Sequence, residues 1–158
     1  MIIDAHCHIM PDSFPKRHAE LSAIDATYAS LFPNPDPKLA TTEDLIQAMQ
    51  ETDVDRSVVM GMGWSRRKLA QEANDYINES IVKFPNQLTG FCSVNPTWGV
   101  EAVKEMGRCA EAGLLGVGEL HPDTQGFDLT DKLALEPLMG AARELGWPVM
   151  VHASEPVG

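Results

Sequence analysis

The feature that most restricts the fold of this 158-residue chain is a regular alternation of short apolar runs with longer segments of helical period. The apolar runs lie at 2–5, 57–62 (SVVMGM), 88–94 (LTGFCSV), 114–120 (LLGVGEL) and 148–152 (PVMVH), and each reads as a strand. Helical segments are predicted at 42–52, 67–84, 98–112 and 131–145. The second carries Leu69, Ala73, Tyr76, Ile77 and Ile81 on one face, and Gly113 and Gly146 stand where helix C-caps favour glycine. The order βαβαβαβαβ implies a parallel sheet with right-handed crossovers, either open and doubly wound or closed into a barrel. An open nucleotide-binding sheet carries a glycine-rich phosphate loop after its first strand. Here that place holds His6-Cys7-His8, which favours α/β units of a (β/α)8, TIM-like barrel.

Barrels of this kind do their chemistry at the C-terminal ends of the strands. Those ends hold His6 and His8, then Gly63-Trp64-Ser65-Arg66, Asn95, Glu119 with His121, and finally His152. In an extended strand residues two apart share a face, so Asp4, His6 and His8 are expected on one side and Ile3, Ala5 and Cys7 on the other. Two imidazoles at one strand end make half a metal site. Cys7 is expected to pack in the core. With Cys92 and Cys109 it makes an odd, unpaired set that reads as reduced thiols.

Composition removes other classes. Acidic residues number 23 against 12 basic ones, a formal charge of -11, and no basic run occurs. Nucleic acid and anionic membrane surfaces are therefore unsuitable partners, and a small-molecule substrate is expected. No run approaches a membrane span of about 20 apolar residues, and the N-terminus lacks a charged segment ahead of a long apolar one, so a cytoplasmic location is the default expectation. The connection from 9 to 42 is long and contains five prolines, a pattern expected of a lid or binding loop, with His18 expected to be an exposed loop residue.

The segments IIDAHCH, GVGELHPDTQGF and PVMVHASEPVG together resemble the amidohydrolase superfamily, in the branch that includes aminocarboxymuconate semialdehyde decarboxylase and other metal-dependent hydrolases. The resemblance spans essentially the whole chain. It implies a distorted (β/α)8 barrel that holds a divalent metal, with zinc expected, through the first-strand pair His6 and His8 and the strand-5 His152. Glu119 matches a strand-4 glutamate that bridges two metals in some branches. Asp4 is expected behind the histidines, and Trp64, Arg66, Asn95 and His121 are expected to meet substrate. The activity implied is hydrolysis of an amide, lactone or other ester by metal-activated water. The alternatives are decarboxylation and a noncatalytic assembly module.

The resemblance also implies strands that this sequence does not contain. Residues 1–158 read as one domain made of strands 1 to 5, while the family takes its catalytic aspartate from strand 8. The open edges, and barrel-facing side chains such as Met60 and Cys92, are expected to need a C-terminal half or a second copy. If the chain turns over alone, Glu119 or Glu155 is the expected base.

Overall fold

The computed structural model describes residues 1–153. Strand β1 (Ile3–His8) is followed by three short helices, α1 (Ser13–Lys16), α2 (His18–Ile24) and α3 (Ala26–Leu31), and then by α4 (Thr42–Glu51). Next come β2 (Arg56–Met60), α5 (Arg67–Lys83), β3 (Leu88–Gly90), a 3-10 turn (Pro96–Trp98) and α6 (Val100–Glu111). The series ends with β4 (Val117–Leu120), α7 (Pro122–Gln125), α8 (Lys132–Leu145) and β5 (Val149–Val151). All pairings are parallel and join consecutive strands: β1 to β2, β2 to β3, and β4 to β5. A bridge from Cys92 to Val117, with Leu115 N–H donating to Gly90 O at 2.9 Å, carries the row from β3 to β4. This is one wall of a barrel in sequence order, and its strand ends share one rim.

The elements form for local reasons. The α4 helix opens on a reciprocal capping box, in which the Thr41 side chain accepts from Asp44 N–H and the Asp44 carboxylate accepts from Thr41 N–H. Asp131 caps α8 through two backbone N–H groups, and Gly146 closes that helix in the left-handed conformation that glycine adopts freely. The main core lies between the strands and helices α4, α5, α6 and α8, where Val59, Ile77, Val94, Met106, Leu114 and Leu138 are all buried. Burial of each such side chain contributes about 1.5–3 kcal/mol. Among the described residues, no helix is long and apolar enough to cross a membrane.

Three expectations change. The 9–42 connection contains α1, α2 and α3, held down by a second core of Phe14, Leu21, Tyr28, Trp64 and Leu69. Tertiary burial of the aromatic residues overrides the loop-like proline content. His18 accordingly opens α2, half-buried, with its ring 5.7 Å from Tyr28, and is not a free loop residue. Met60 and Cys92 are completely buried, so neither has lost its packing wall. Cys92 lies in the main core, and burial pushes its thiol pKa well up. The β1 edge is open as expected, with Ile2 and Ile3 about half exposed.

A buried polar network braces β3 against α5 and α6. Asn74 Nδ2 donates to Ser93 O at 3.0 Å and to Glu105 Oε1 at 2.8 Å, while Asn74 Oδ1 accepts from Ser93 N–H at 2.8 Å. Arg108 completes it with paired bonds to the Glu105 carboxylate at 2.7 and 2.9 Å. Burial raises the Glu105 pKa, but the bonds from Arg108, Asn74 and Gln71 outweigh burial and hold the group below its ordinary 4.5. A depressed carboxyl contributes stability that is present above the unfolded-state pKa and lost as pH falls through the folded one. Urea unfolding from pH 7 to pH 3 should therefore show a steep acid loss in the parent and a flatter one in Glu105→Gln. Identical acid limbs would remove Glu105 from the account.

Candidate metal centre

Two strands that carry the cluster depart from regular alternation. In β1 the register advances three residues, Asp4 to Cys7, while β2 advances two, and in β4 it advances from Val117 to Leu120 while β5 advances from Val149 to Val151. Each is a bulge, and bulges re-aim the side chains they carry. The β1 bulge overturns the expected faces, because Asp4 now meets the Cys7 thiol and the His6 N–H. Those two hydrogen bonds hold the Asp4 carboxyl below its ordinary range. Asp4 is exposed and binds the His6 backbone, not an imidazole.

The β4 bulge presents Glu119 at the rim. Glu119 is 3% exposed, and its carboxylate faces four imidazoles. Oε2 lies 3.4 Å from Nε2 of His6, His8 and His121, and Oε1 accepts from His152 Nδ1 at 3.0 Å. The His6 and His8 Nε2 atoms are 3.0 Å apart, and the His121 and His152 rings stack at 4.1 Å. Burial pushes the Glu119 pKa up, yet the surrounding imidazoles of His121, His8 and His152 hold it far below the ordinary carboxylate range.

This donor set fits a divalent cation. Ligand atoms about 2.0–2.2 Å from one ion lie roughly 3.0–3.5 Å from each other, the spacing of His6 Nε2, His8 Nε2 and Glu119 Oε2, while His121 and His152 make a second triad with the same carboxylate. His8 is prepared for the role: Nδ1 lies 3.3 Å from the Met60 carbonyl, which can only accept, so the proton sits on Nδ1 and the Nε2 lone pair faces the cluster. His121 Nε2 is buried without a hydrogen-bond partner while directed at the same carboxylate. An unpartnered buried nitrogen in such a place suits a positively charged neighbour.

The structure brings together His6, His8, Glu119, His121 and His152, and gives the side chains of the other sequence candidates different contacts. Trp64 is fully buried against Phe14 and Tyr28 in the second core. Asn95 is buried, with Oδ1 capping the 3-10 turn and Nδ2 donating to Gln125 O. Arg66 donates through Nε to Ile24 O at the start of α5. These are structural tasks, and sequence position at a strand end cannot distinguish them from substrate contact. Glu155 lies outside the described residues. Gln125, whose Oε1 accepts from the His121 N–H, was not singled out by the sequence. The only signal was Pro122 and Gly126 bracketing a one-turn helix.

A parallel β/α wall with imidazoles and a carboxylate at its strand ends defines a class of barrel enzymes, and the comparisons specify it further. Residues 3–157 match the amidohydrolase family, and the chain belongs to that family. It is 27% identical over 180 aligned positions to a 2-amino-3-carboxymuconate-6-semialdehyde decarboxylase of Dictyostelium discoideum, covering 99% of this chain and 50% of that protein. Among solved structures it resembles a Novosphingobium aromaticivorans 5-carboxyvanillate decarboxylase complexed with manganese and a nitrobenzoic acid, at 20% identity and a TM-score of 0.76, covering 98% of this chain and 50% of that one. It also resembles a 4-oxalomesaconate hydratase from Rhodopseudomonas palustris, at 24% identity and a TM-score of 0.69, covering 98% of this chain and 52% of that one. The chain thus spans about half the length of the relatives it matches. The likeness to solved structures establishes the TIM-barrel fold, and these relatives catalyse more than one reaction.

The β4 bulge depends on Gly118. Its φ is +141°, and a Cβ there would lie 2.6 Å from Met150 O and 2.7 Å from Met150 Cβ. The Gly118→Ala variant should lose about 2 kcal/mol in urea unfolding, because β4 must move away from β5. Unchanged stability would show that the bulge tolerates a side chain.

Proposed function

We propose that this chain supplies the metal-binding half of a metal-dependent lyase that removes carbon dioxide from an unsaturated or aromatic carboxylate. The observation carrying this reading is the single buried Glu119 carboxylate gathered by imidazoles from β1, β4 and β5. Likeness over nearly the whole chain to a decarboxylase supports this reaction class. His6, His8 and Glu119 form one group that would hold the metal and His152 joins the same carboxylate in a second, with zinc first on donor chemistry and manganese second on the relative's content. A bound divalent ion would supply positive charge that orients and polarises an oxygen of the substrate.

The remaining steps belong to the protein. Met60 O fixes the His8 ring, and Glu119 Oε1 holds the proton on His152 Nδ1. Loss of carbon dioxide leaves an electron pair on carbon that must take a proton, and His121 Nε2 is the buried nitrogen beside the cluster with no competing hydrogen bond. The open edge of β1 is where further strands would pair, from additional polypeptide or from a second copy. Hydrolysis of an amide or ester is the second reading, because imidazoles with one carboxylate also suit the activation of water.

Purified protein should contain stoichiometric divalent metal by elemental analysis, and His6→Ala with His8→Ala should abolish it. Release of carbon dioxide from hydroxybenzoate or muconate carboxylates should fall by about 10²-fold or more in Glu119→Gln. Lactone or amide turnover without decarboxylation would favour hydrolysis. Metal with neither activity would favour an assembly module.

Metal content also decides the role of Glu119. Two equivalents in the parent and one in Glu119→Gln would identify a bridge between metals. Equal content in both would confine Glu119 to the pocket.

A further inference from the structure

We infer that Gln125 is a positioning residue that sets His121 against Glu119, an inference that rests on the metal-centre reading above. Gln125 is buried, and its side chain is used at both ends. Its Oε1 accepts from His121 N–H at 2.9 Å, and its Nε2 donates to Trp64 O at 3.1 Å and to Val94 O at 3.0 Å. Its main-chain carbonyl accepts from Asn95 Nδ2 at 3.1 Å. One residue therefore ties together the connections that follow β2, β3 and β4 at the rim.

A second set of contacts places the same clamp under tight packing. A Cβ on Gly63 would lie 2.7 Å from His121 N, 2.8 Å from His121 Cβ and 2.9 Å from Gln125 Oε1. Thr27 Oγ1 in α3 donates to Gly63 O at 2.5 Å and lies 2.7 Å from Thr124 Oγ1 in α7. The long connection after β1 is thus fastened to the clamp through α3.

The chemistry of the amide explains the choice of residue. Gln offers one acceptor and two donors on one planar group, and the site uses all of them. A carboxylate would set an oxygen against the Trp64 and Val94 carbonyls, and an apolar side chain would leave three buried backbone groups unpaired. His121 needs this anchoring because its Nε2 makes no hydrogen bond. Its ring is held by its backbone and by the stack on His152.

The test uses the full chain with Gln125→Met, Gly63→Ala and Gln125→Glu. Hydrogen exchange of the His121 amide is read in metal-free protein, and Co²⁺ affinity and visible absorption are read on loading. In Gln125→Met and Gly63→Ala, His121 exchange should accelerate by about tenfold or more while amides in α5 and α6 stay protected. Co²⁺ affinity should fall roughly 10- to 100-fold, with a shifted absorption band. Gln125→Glu retains the acceptor for His121 and should fall between these variants and the parent. Unchanged His121 exchange in both Gln125→Met and Gly63→Ala overturns the inference, as does uniform acceleration across the molecule in all three variants. Should the parent bind no Co²⁺, the metal-centre reading fails while the exchange data still decide the clamp.

Discussion

The structure depends on a carboxylate placed where water cannot solvate it. Glu119 is nearly inaccessible, and a buried carboxylate stays ionised only if neighbours supply hydrogen bonds or positive charge. Those neighbours come from three strands: His6 and His8 from β1, His121 from the end of β4, and His152 from the end of β5. In sequence order β1 and β5 lie at opposite edges of the strand row, so no local piece of the chain can satisfy this group. Glu119 finds its partners only when the curved wall is assembled. The carboxylate therefore makes the rim cooperative with the fold beneath it.

Curvature and side-chain aim both come from irregular pairing. A strict ladder would fix every side chain by alternation, whereas the bulges in β1 and β4 add one residue each on the strands that bring His6 and Glu119 to the cluster. Such departures need rigid support. Behind β3, the Asn74, Glu105 and Arg108 network satisfies both polar groups of the Ser93 backbone from α5 and α6. At the rim, Gln125 performs the equivalent task for three connections. The polar interior thus fixes strand ends, and the apolar core fixes the layers.

The periodic elements were legible because burial imposes a pattern on sequence. The five apolar runs and the α4, α5, α6 and α8 patterns appear in the structure close to their expected positions. His6, His8, Glu119 and His152 were legible because a strand end of a parallel barrel is a restricted address. The helices α1, α2 and α3 were not, since proline frequency describes local preference while burial of Phe14, Leu21 and Tyr28 is a tertiary fact. Asp4 was misassigned because a bulge has no sequence signature in IIDAHCH. Trp64 and Asn95 occupy the right address but are used in packing and capping, and only their surroundings reveal it.

On the proposed metal reading, proton and metal would compete at one place in the cluster. The His6 and His8 Nε2 atoms stand 3.0 Å apart, a separation at which two lone pairs repel unless a proton or a cation lies between them. His8 carries its proton on Nδ1 because Met60 O can only accept, so a proton between the two rings must sit on His6 Nε2, or be added to make an imidazolium. A divalent cation there would replace that requirement with positive charge shared among the His6 and His8 nitrogens and Glu119 Oε2. Metal binding there would release protons, so affinity would rise with pH. The carboxylate would matter on the same reading: neutral imidazoles alone offer lone pairs without charge, and Glu119 would supply the negative charge that favours a cation over water.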